Sequence, residues 1–288
     1  MKLGAVFPQT EIGNDPAHIR DFAQGVEGLG FDYLLAYEHV LGANPERPGG
    51  WQGTYTYRDA FHEPFVLFGY LAGLTERLEF ATSVLVLPQR QTTVVAKQAA
   101  TLDVLSGGRL RLGVGIGWNR VEFEALGYAF ANRGRRIEEQ VLVLRELWSK
   151  PLVTFVGQYH TIDDAGINPL PVQRPIPIWF GGMAEAVLRR MARLGDGWMP
   201  RPLPPEEGEP LVERLRDYLE AAGRDPQHFG IDVRINMQQM PRSTWAAYAE
   251  GWRSLGATHI SLNTMGVGLN TLEARLEALR QFREVVGG

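Results

Sequence analysis

The chain has 288 residues, 44% hydrophobic and 22% charged, with a net charge of −4, so no basic field points to nucleic acid. It has no cysteine, which excludes disulfides, thiolate catalysis and cysteine-ligated zinc. No apolar run approaches the ~20 residues of a membrane span, and Pro8 breaks the N-terminal MKLGAVFPQT too early for a secretion signal; a cytoplasmic protein without a membrane partner is expected.

Hydrophobic periodicity sets out the elements. LGAVFP (3–8) reads as a strand stopped by proline. Asp15-Pro16 then reads as an N-cap and first helical position, with Ile19, Phe22, Val26 and Leu29 at helical spacing. YLLAYE (33–38) is a second strand, followed by a loop (39–62) rich in glycine, proline and aromatic residues. A helix (64–75), the strand LEFATSVLV (78–86) and a helix (92–105) lead to the glycine pair Gly107-Gly108 and a fourth strand. Ile137, Val141, Leu144 and Trp148 stripe the next helix, and VTFVGQYHTI (153–162) reads as a small hairpin inserted before strand five, IPIWFGG (176–182). Helices near 184–195, 206–222 and 244–255 alternate with the strands GWMP (197–200), GIDVRINM (230–237) and HISLNTM (259–265). A last helix carries Leu272, Leu276, Leu279 and Phe282.

Strand–helix alternation implies a parallel sheet. Eight such units without a linker favour one (β/α)8 TIM barrel over residues 1–288, whose active site lies at the carboxyl ends of the strands. An open, doubly wound sheet is the other architecture the alternation allows.

The fourth strand, GGRLRLGVGIGWNR (107–120), is the most informative stretch. Gly113, Gly115 and Gly117 alternate strictly, whereas a dinucleotide loop needs G-x-G-x-x-G opening into a helix. Glu138 falls near the acid position of that fingerprint, but no second strand precedes it. With period two, Leu110, Leu112, Val114 and Ile116 face the helices and the glycines face the lumen. Each such glycine weakens a strand by roughly 0.5–1 kcal/mol, which makes sense where a planar ligand or another backbone approaches closely. The same alternation turns Arg111 inward, and Asp232, Arg234 and Asn236 share the non-apolar face of their strand. A buried Arg–Asp network in the lower lumen is expected.

The remaining signals lie at strand ends. His39 follows strand two next to Glu38 and titrates near neutrality, which makes it the acid–base candidate; Glu38 either orients it or pairs with an arginine. The other histidines show no metal-ligand spacing, and His259, opening strand eight, belongs at the barrel bottom. Gly181-Gly182-Met183-Ala184 opens a helix whose free N–H groups attract an anion, and Arg201 stands ready to add charge. Trp51, Tyr55, Tyr57 and Phe61 in the long loop suggest an aromatic lid over an apolar or planar substrate, or a loop packed on its own barrel or a partner.

The stretches AYEHVLG (36–42), ATSVLVLPQRQTTVVAKQAATLDVLSGGRLRLGVGIGW (81–118), VEFEALGYAFANRGRRIEE (121–139) and PIWFGGMAEAVLRRMARLGDGWMP (177–200) resemble the bacterial-luciferase-like family of flavin- and deazaflavin-dependent oxidoreductases. The likeness runs from residue 1 to about 200 and then thins to the barrel pattern. It implies a TIM-type barrel, coenzyme F420 or FMN with F420 favoured, a small organic substrate and a homodimer, with a separate flavin or F420 reductase as a further partner. It also implies a bulge or non-prolyl cis peptide at Ser83-Val84 against the cofactor ring, and a phosphate cradle at Gly181–Ala184. The ring would lie over Gly115 and Gly117, beside Trp118 and Asn119. Trp118 stands where the family's sugar-phosphate dehydrogenases carry glutamate, and the chain lacks a lysine-rich phosphate grip, which argues against glucose-6-phosphate. Two alternatives to hydride transfer stay open: a two-component monooxygenase using reduced FMN, and a flavin-binding barrel without turnover.

Overall fold

A computed structural model of the chain describes residues 1–287; Gly288, the last position of the expected domain, lies outside the described residues. The first half runs β1 (Lys2–Val6), α1 (Pro16–Gly28), β2 (Tyr33–Ala36), α2 (Pro64–Ala72), β3 (Glu79–Thr82), β4 (Leu85–Val86), α3 (Thr92–Ser106) and β5 (Leu110–Gly115). The second runs α4 (Arg120–Ala125), α5 (Arg133–Ser149), β6 (Val153–Val156), β7 (Thr161–Ala165), β8 (Ile178–Gly181) and α6 (Glu185–Leu194). It continues with β9 (Gly197–Met199), α7 (Pro205–Ala221), β10 (Gly230–Asn236), α8 (Trp245–Ser254), β11 (His259–Asn263) and α9 (Leu272–Val286).

The starts of these elements follow from local chemistry. Asp15 caps α1 by accepting from the Ala17 N–H, with Pro16 at the first helical position. Glu63 does the same for α2 through the Val66 N–H. Gly107 ends α3 in the left-handed region at φ 69°, as a Schellman-type stop requires.

All barrel pairings are parallel, in the order β3-β2-β1-β11-β10-β9-β8-β5-β4, and β3 also pairs with β5, so the sheet closes. The expected third strand is broken in two. β3 pairs through Phe80 and Ala81 with Leu110 and Arg111, whereas β4 pairs through Leu85 and Val86 with Val114 and Gly115. Between them lie Ser83 and Val84, joined by a cis peptide bond. Counting β3 and β4 as one staggered strand gives a closed eight-stranded (β/α)8 barrel among the described residues.

The main core lies between sheet and helices and includes Leu110, Leu112 and Val114 of β5, all essentially buried. Burial of this apolar layer is the main stabilising contribution, at about 25 cal/mol per Å². The hairpin β6–β7 sits outside the barrel. Glu139 on α5 holds it by accepting from the Gln158 and Tyr159 N–H groups, both at 2.7 Å, and from His160 Nδ1 at 2.8 Å. The other His160 nitrogen meets Thr92 Oγ1 at 2.6 Å.

The floor of the barrel carries the expected ionic network. Arg111 contacts Asp232 at 2.8 Å and Glu79 at 2.7 Å, and its guanidinium lies 4.7 Å from the Tyr33 ring centre and 4.4 Å from that of Trp179. Tyr33 donates its hydroxyl to Asp232 at 2.8 Å. Arg234 faces inward too, but one layer higher, away from this network. His259 sits at the bottom with its ring edge-on to Tyr33 and Trp179.

Candidate functional site

A cleft of about 830 Å³ opens at the carboxyl ends of the strands. Its walls come from β2 (Tyr37 and His39), the β3–β4 junction (Ser83 and Val84), β5 (Gly115, Gly117 and Trp118) and β8 (Gly181 to Ala184); Arg201, Arg234, Asn236 and Asn263 complete it. Glycines and small side chains leave the width, and a few polar groups converge on it, which is the usual make-up of a cofactor or substrate site.

The junction carrying the cis peptide is fixed from below. Arg234 donates to Ser83 Oγ at 2.6 Å and to the Tyr37 hydroxyl at 2.8 Å. Gln9 clasps the Tyr37 backbone, donating to its carbonyl at 2.9 Å and accepting its N–H at 3.1 Å.

The glycines of β5 have a different occupant from the planar ligand. A Cβ on Gly113 would lie 1.9 Å from the Thr82 carbonyl oxygen and 2.7 Å from Met199 Sδ. On Gly115 it would meet Val84 Cγ2 at 2.5 Å, and on Gly117, at φ +71°, Val86 Cγ1 at 2.4 Å. The space is taken by the neighbouring strand where it bulges between β3 and β4. Of the two reasons for an inward glycine row, close approach of another backbone is the one realised. Gly181 serves the same purpose from the other side, since its Cβ would meet Val84 Cγ1 at 2.7 Å. Val84 is thereby lodged between two glycines and presented to the cleft.

At the end of β8, Gly182 adopts φ +115°, which only glycine tolerates, and its carbonyl accepts from Trp198 Nε1 at 2.7 Å. α6 starts after Ala184 with no side chain capping its first turn. The Glu185 carboxylate is drawn aside to Arg189, Arg214 and Tyr218. The N-terminal amides therefore face the cleft uncompensated, with the positive end of the helix dipole behind them. Arg201 is exposed on the same rim.

His39 lies 10% exposed in an aromatic collar, with ring centres of Tyr55 at 5.1 Å, Phe61 at 4.9 Å and Trp118 at 5.4 Å. Its carboxylate partner is Glu122 on α4, with Nδ1 and Oε2 3.2 Å apart. The other Glu122 oxygen accepts from the Val40 and Leu41 N–H groups at 2.7 and 3.3 Å. Glu38 does not orient His39. Its carboxylate accepts from Arg90 Nε at 2.5 Å and from the Val86 N–H, locking β2 to β4. Burial pushes the Glu38 carboxyl above its ordinary range, although Arg90 and the Val86 amide pull the other way. Glu38 is thus a brace between strands, and the alternative of an arginine partner is the one observed.

Three further expected site residues stand outside the cleft lining. Asn119 is buried as the N-cap of α4, its side chain accepting from the Val121 N–H at 3.1 Å. Trp51 packs on Trp118, ring centres 5.8 Å apart, and donates Nε1–H to the Tyr55 carbonyl. Tyr57 is 58% exposed beside the Arg58 guanidinium. Tyr55 alone of the expected substrate residues reaches the cleft. Among the described residues no group of three or more His, Cys, Asp or Glu side chains is placed to hold a metal, and no helix is long and apolar enough to cross a membrane.

A sequence profile of the luciferase-like monooxygenases matches residues 1–283, and the chain belongs to that family. An uncharacterised protein of Mycobacterium tuberculosis is 42% identical over 223 residues, covering 76% of this chain and 77% of the relative. An F420-dependent glucose-6-phosphate dehydrogenase of Kineococcus radiotolerans is 31% identical over 236 residues, 78% of this chain and 66% of the relative. The crystal structure of monooxygenase RslO1 from Streptomyces bottropensis superposes with a TM-score of 0.78 at 21% identity, covering 99% of this chain and 98% of that one, which shows the shared barrel.

Proposed function

We propose that this protein is an oxidoreductase that binds coenzyme F420 in the strand-end cleft and interconverts a small, weakly polar alcohol and its carbonyl compound. The observation carrying this reading is the pairing, in one cleft, of an uncapped helix start at Gly181–Ala184 with His39. The first suits the phosphodiester of a ring cofactor; the second suits a proton that must travel with each hydride. Ser83, Val84, Gly115 and Gly117 would hold the ring, and Gly182, Met183, Ala184 and Arg201 the anionic linkage. When bound, the deazaflavin supplies a two-electron hydride acceptor or donor at its C5.

The chain's own groups do the remaining work. Val84 offers an apolar surface fixed on both sides by Gly115 and Gly181. Trp118, Tyr55 and Phe61 surround His39 with rings that exclude water, and His39 takes up or returns the substrate hydroxyl proton. Support for F420 over FMN comes from the F420-dependent relative, at 31% identity. Trp118 at the mouth argues for a less polar substrate than that relative's sugar phosphate.

The test is a side-by-side fluorescence titration with F420 and FMN, followed by His39→Ala. The expected result is tight F420 binding that survives the substitution while turnover falls about 10²- to 10⁴-fold. Millimolar dissociation constants for both cofactors overturn the proposal. Oxygen uptake with reduced FMN, absent with reduced F420, replaces it by a two-component monooxygenase.

A further inference from the structure

The carboxylate of Glu122 is 1% exposed and makes contacts to three consecutive residues, His39, Val40 and Leu41. Oε1 takes the two amides; Oε2 is left for the imidazole. A carboxylate accepts only, so the ring nitrogen facing it must carry the proton. We propose that Glu122 is the positioning residue of the site: it holds neutral His39 as the Nδ1–H tautomer, leaving Nε2 as a bare acceptor toward the cleft. His39 is then built to take a proton from a substrate hydroxyl, which favours alcohol oxidation as the direction the resting enzyme is set for. The role rests on the function proposed above, but the tautomer exists without cofactor or substrate.

The two amide bonds make the arrangement unusually well determined. They pin the backbone on the C-terminal side of His39, so the ring can neither slide along nor rotate away from Oε2 without breaking them. The aromatic collar closes the remaining directions. Outer-shell partners of this kind typically change function 10- to 100-fold when removed, and more where the wrong tautomer results.

Glu122→Gln separates positioning from scaffolding. The amide oxygen can still accept from Val40 and Leu41, while the amide nitrogen, now facing Nδ1, donates instead of accepting. The ring must switch to the Nε2–H tautomer with the loop unmoved. Nitrogen-15 spectra of histidine-labelled protein near pH 8.5, about two units above the ordinary imidazole pKa, read this directly, with His39→Asn assigning the signal. The expected wild-type pattern is a protonated Nδ1 and an unprotonated Nε2, inverted in Glu122→Gln. In assays, Glu122→Gln is expected to lower kcat about 100-fold or more with cofactor affinity unchanged, and to cost nothing further in a His39→Ala background. A wild-type Nε2–H tautomer, or the same tautomer in both proteins, overturns the inference whatever the assays give. An inverted tautomer with unchanged kcat leaves the positioning geometry intact and removes instead the assignment of His39 as proton handler.

Discussion

Arg111 of β5 and Asp232 of β10 meet across the barrel floor at 2.8 Å, both buried, with the Tyr33 and Trp179 rings near the guanidinium. The pair joins strands that are not neighbours in the sheet. Removing one partner strands a charge in an apolar layer, which costs about 3–5 kcal/mol; replacing both by apolar groups is far milder. Asp232→Ala is therefore expected to lower unfolding stability by that amount, and Arg111→Met with Asp232→Leu to recover most of it, as read by urea denaturation. Equal losses in the single and double variants would show that packing, not charge, governs the floor.

The glycines of β5 make a graded prediction. Gly113→Ala drives a methyl group into the Thr82 backbone carbonyl, which has no room to yield, and is expected to cost about 3 kcal/mol. Gly115→Ala meets only the end of the Val84 side chain. Its smaller cost, about 1–2 kcal/mol, should be largely relieved by Val84→Ala in the same chain. Thermal unfolding of the three variants checks the order; relief of Gly113→Ala by Val84→Ala would contradict it.

His259 supplies a pH dependence. Burial above all, then Arg111, Lys2 and the N-terminus, pushes its imidazole down to about 2. The unfolded chain binds that proton near pH 6.5, the folded chain only near pH 2, so the associated stability is full above 6.5 and lost as pH falls through this window. His259→Phe keeps the packing against Tyr33 and Trp179 and removes the titration. Between pH 8 and 5 the wild type should lose up to about 2 kcal/mol more than the variant, measured as urea midpoints. Parallel pH profiles would show that His259 takes up its proton equally in both states.

Periodicity was enough to place the barrel strands and the inward Arg111 and Asp232, because both depend on alternation within one segment. Glu122 was not legible. It lies 83 residues from His39, and its local pattern, Asn119-x-x-Glu122, reads as an ordinary capping box. Asn119 does cap α4, but Glu122 turns to the loop leaving β2 instead. Glu38 misled for the same reason: adjacency in sequence put it beside His39, while the fold sent it to Arg90. The purpose of the glycine row likewise depended on which neighbour filled it. Strand pairing decided that, and no residue of β5 encodes it.

The bonds from Glu122 to Val40 and Leu41 also bear on how material enters the cleft. Just beyond them Ala43 is bridged to Thr56, and the Tyr57 N–H bonds the Ala43 carbonyl at 3.1 Å. The long loop is thus riveted at its neck, and any flexing of its tip would pivot outboard of the imidazole. Admission of reactants and custody of the proton are mechanically decoupled, so the tip can be remodelled over evolution to suit new compounds while the chemistry beneath stays in register.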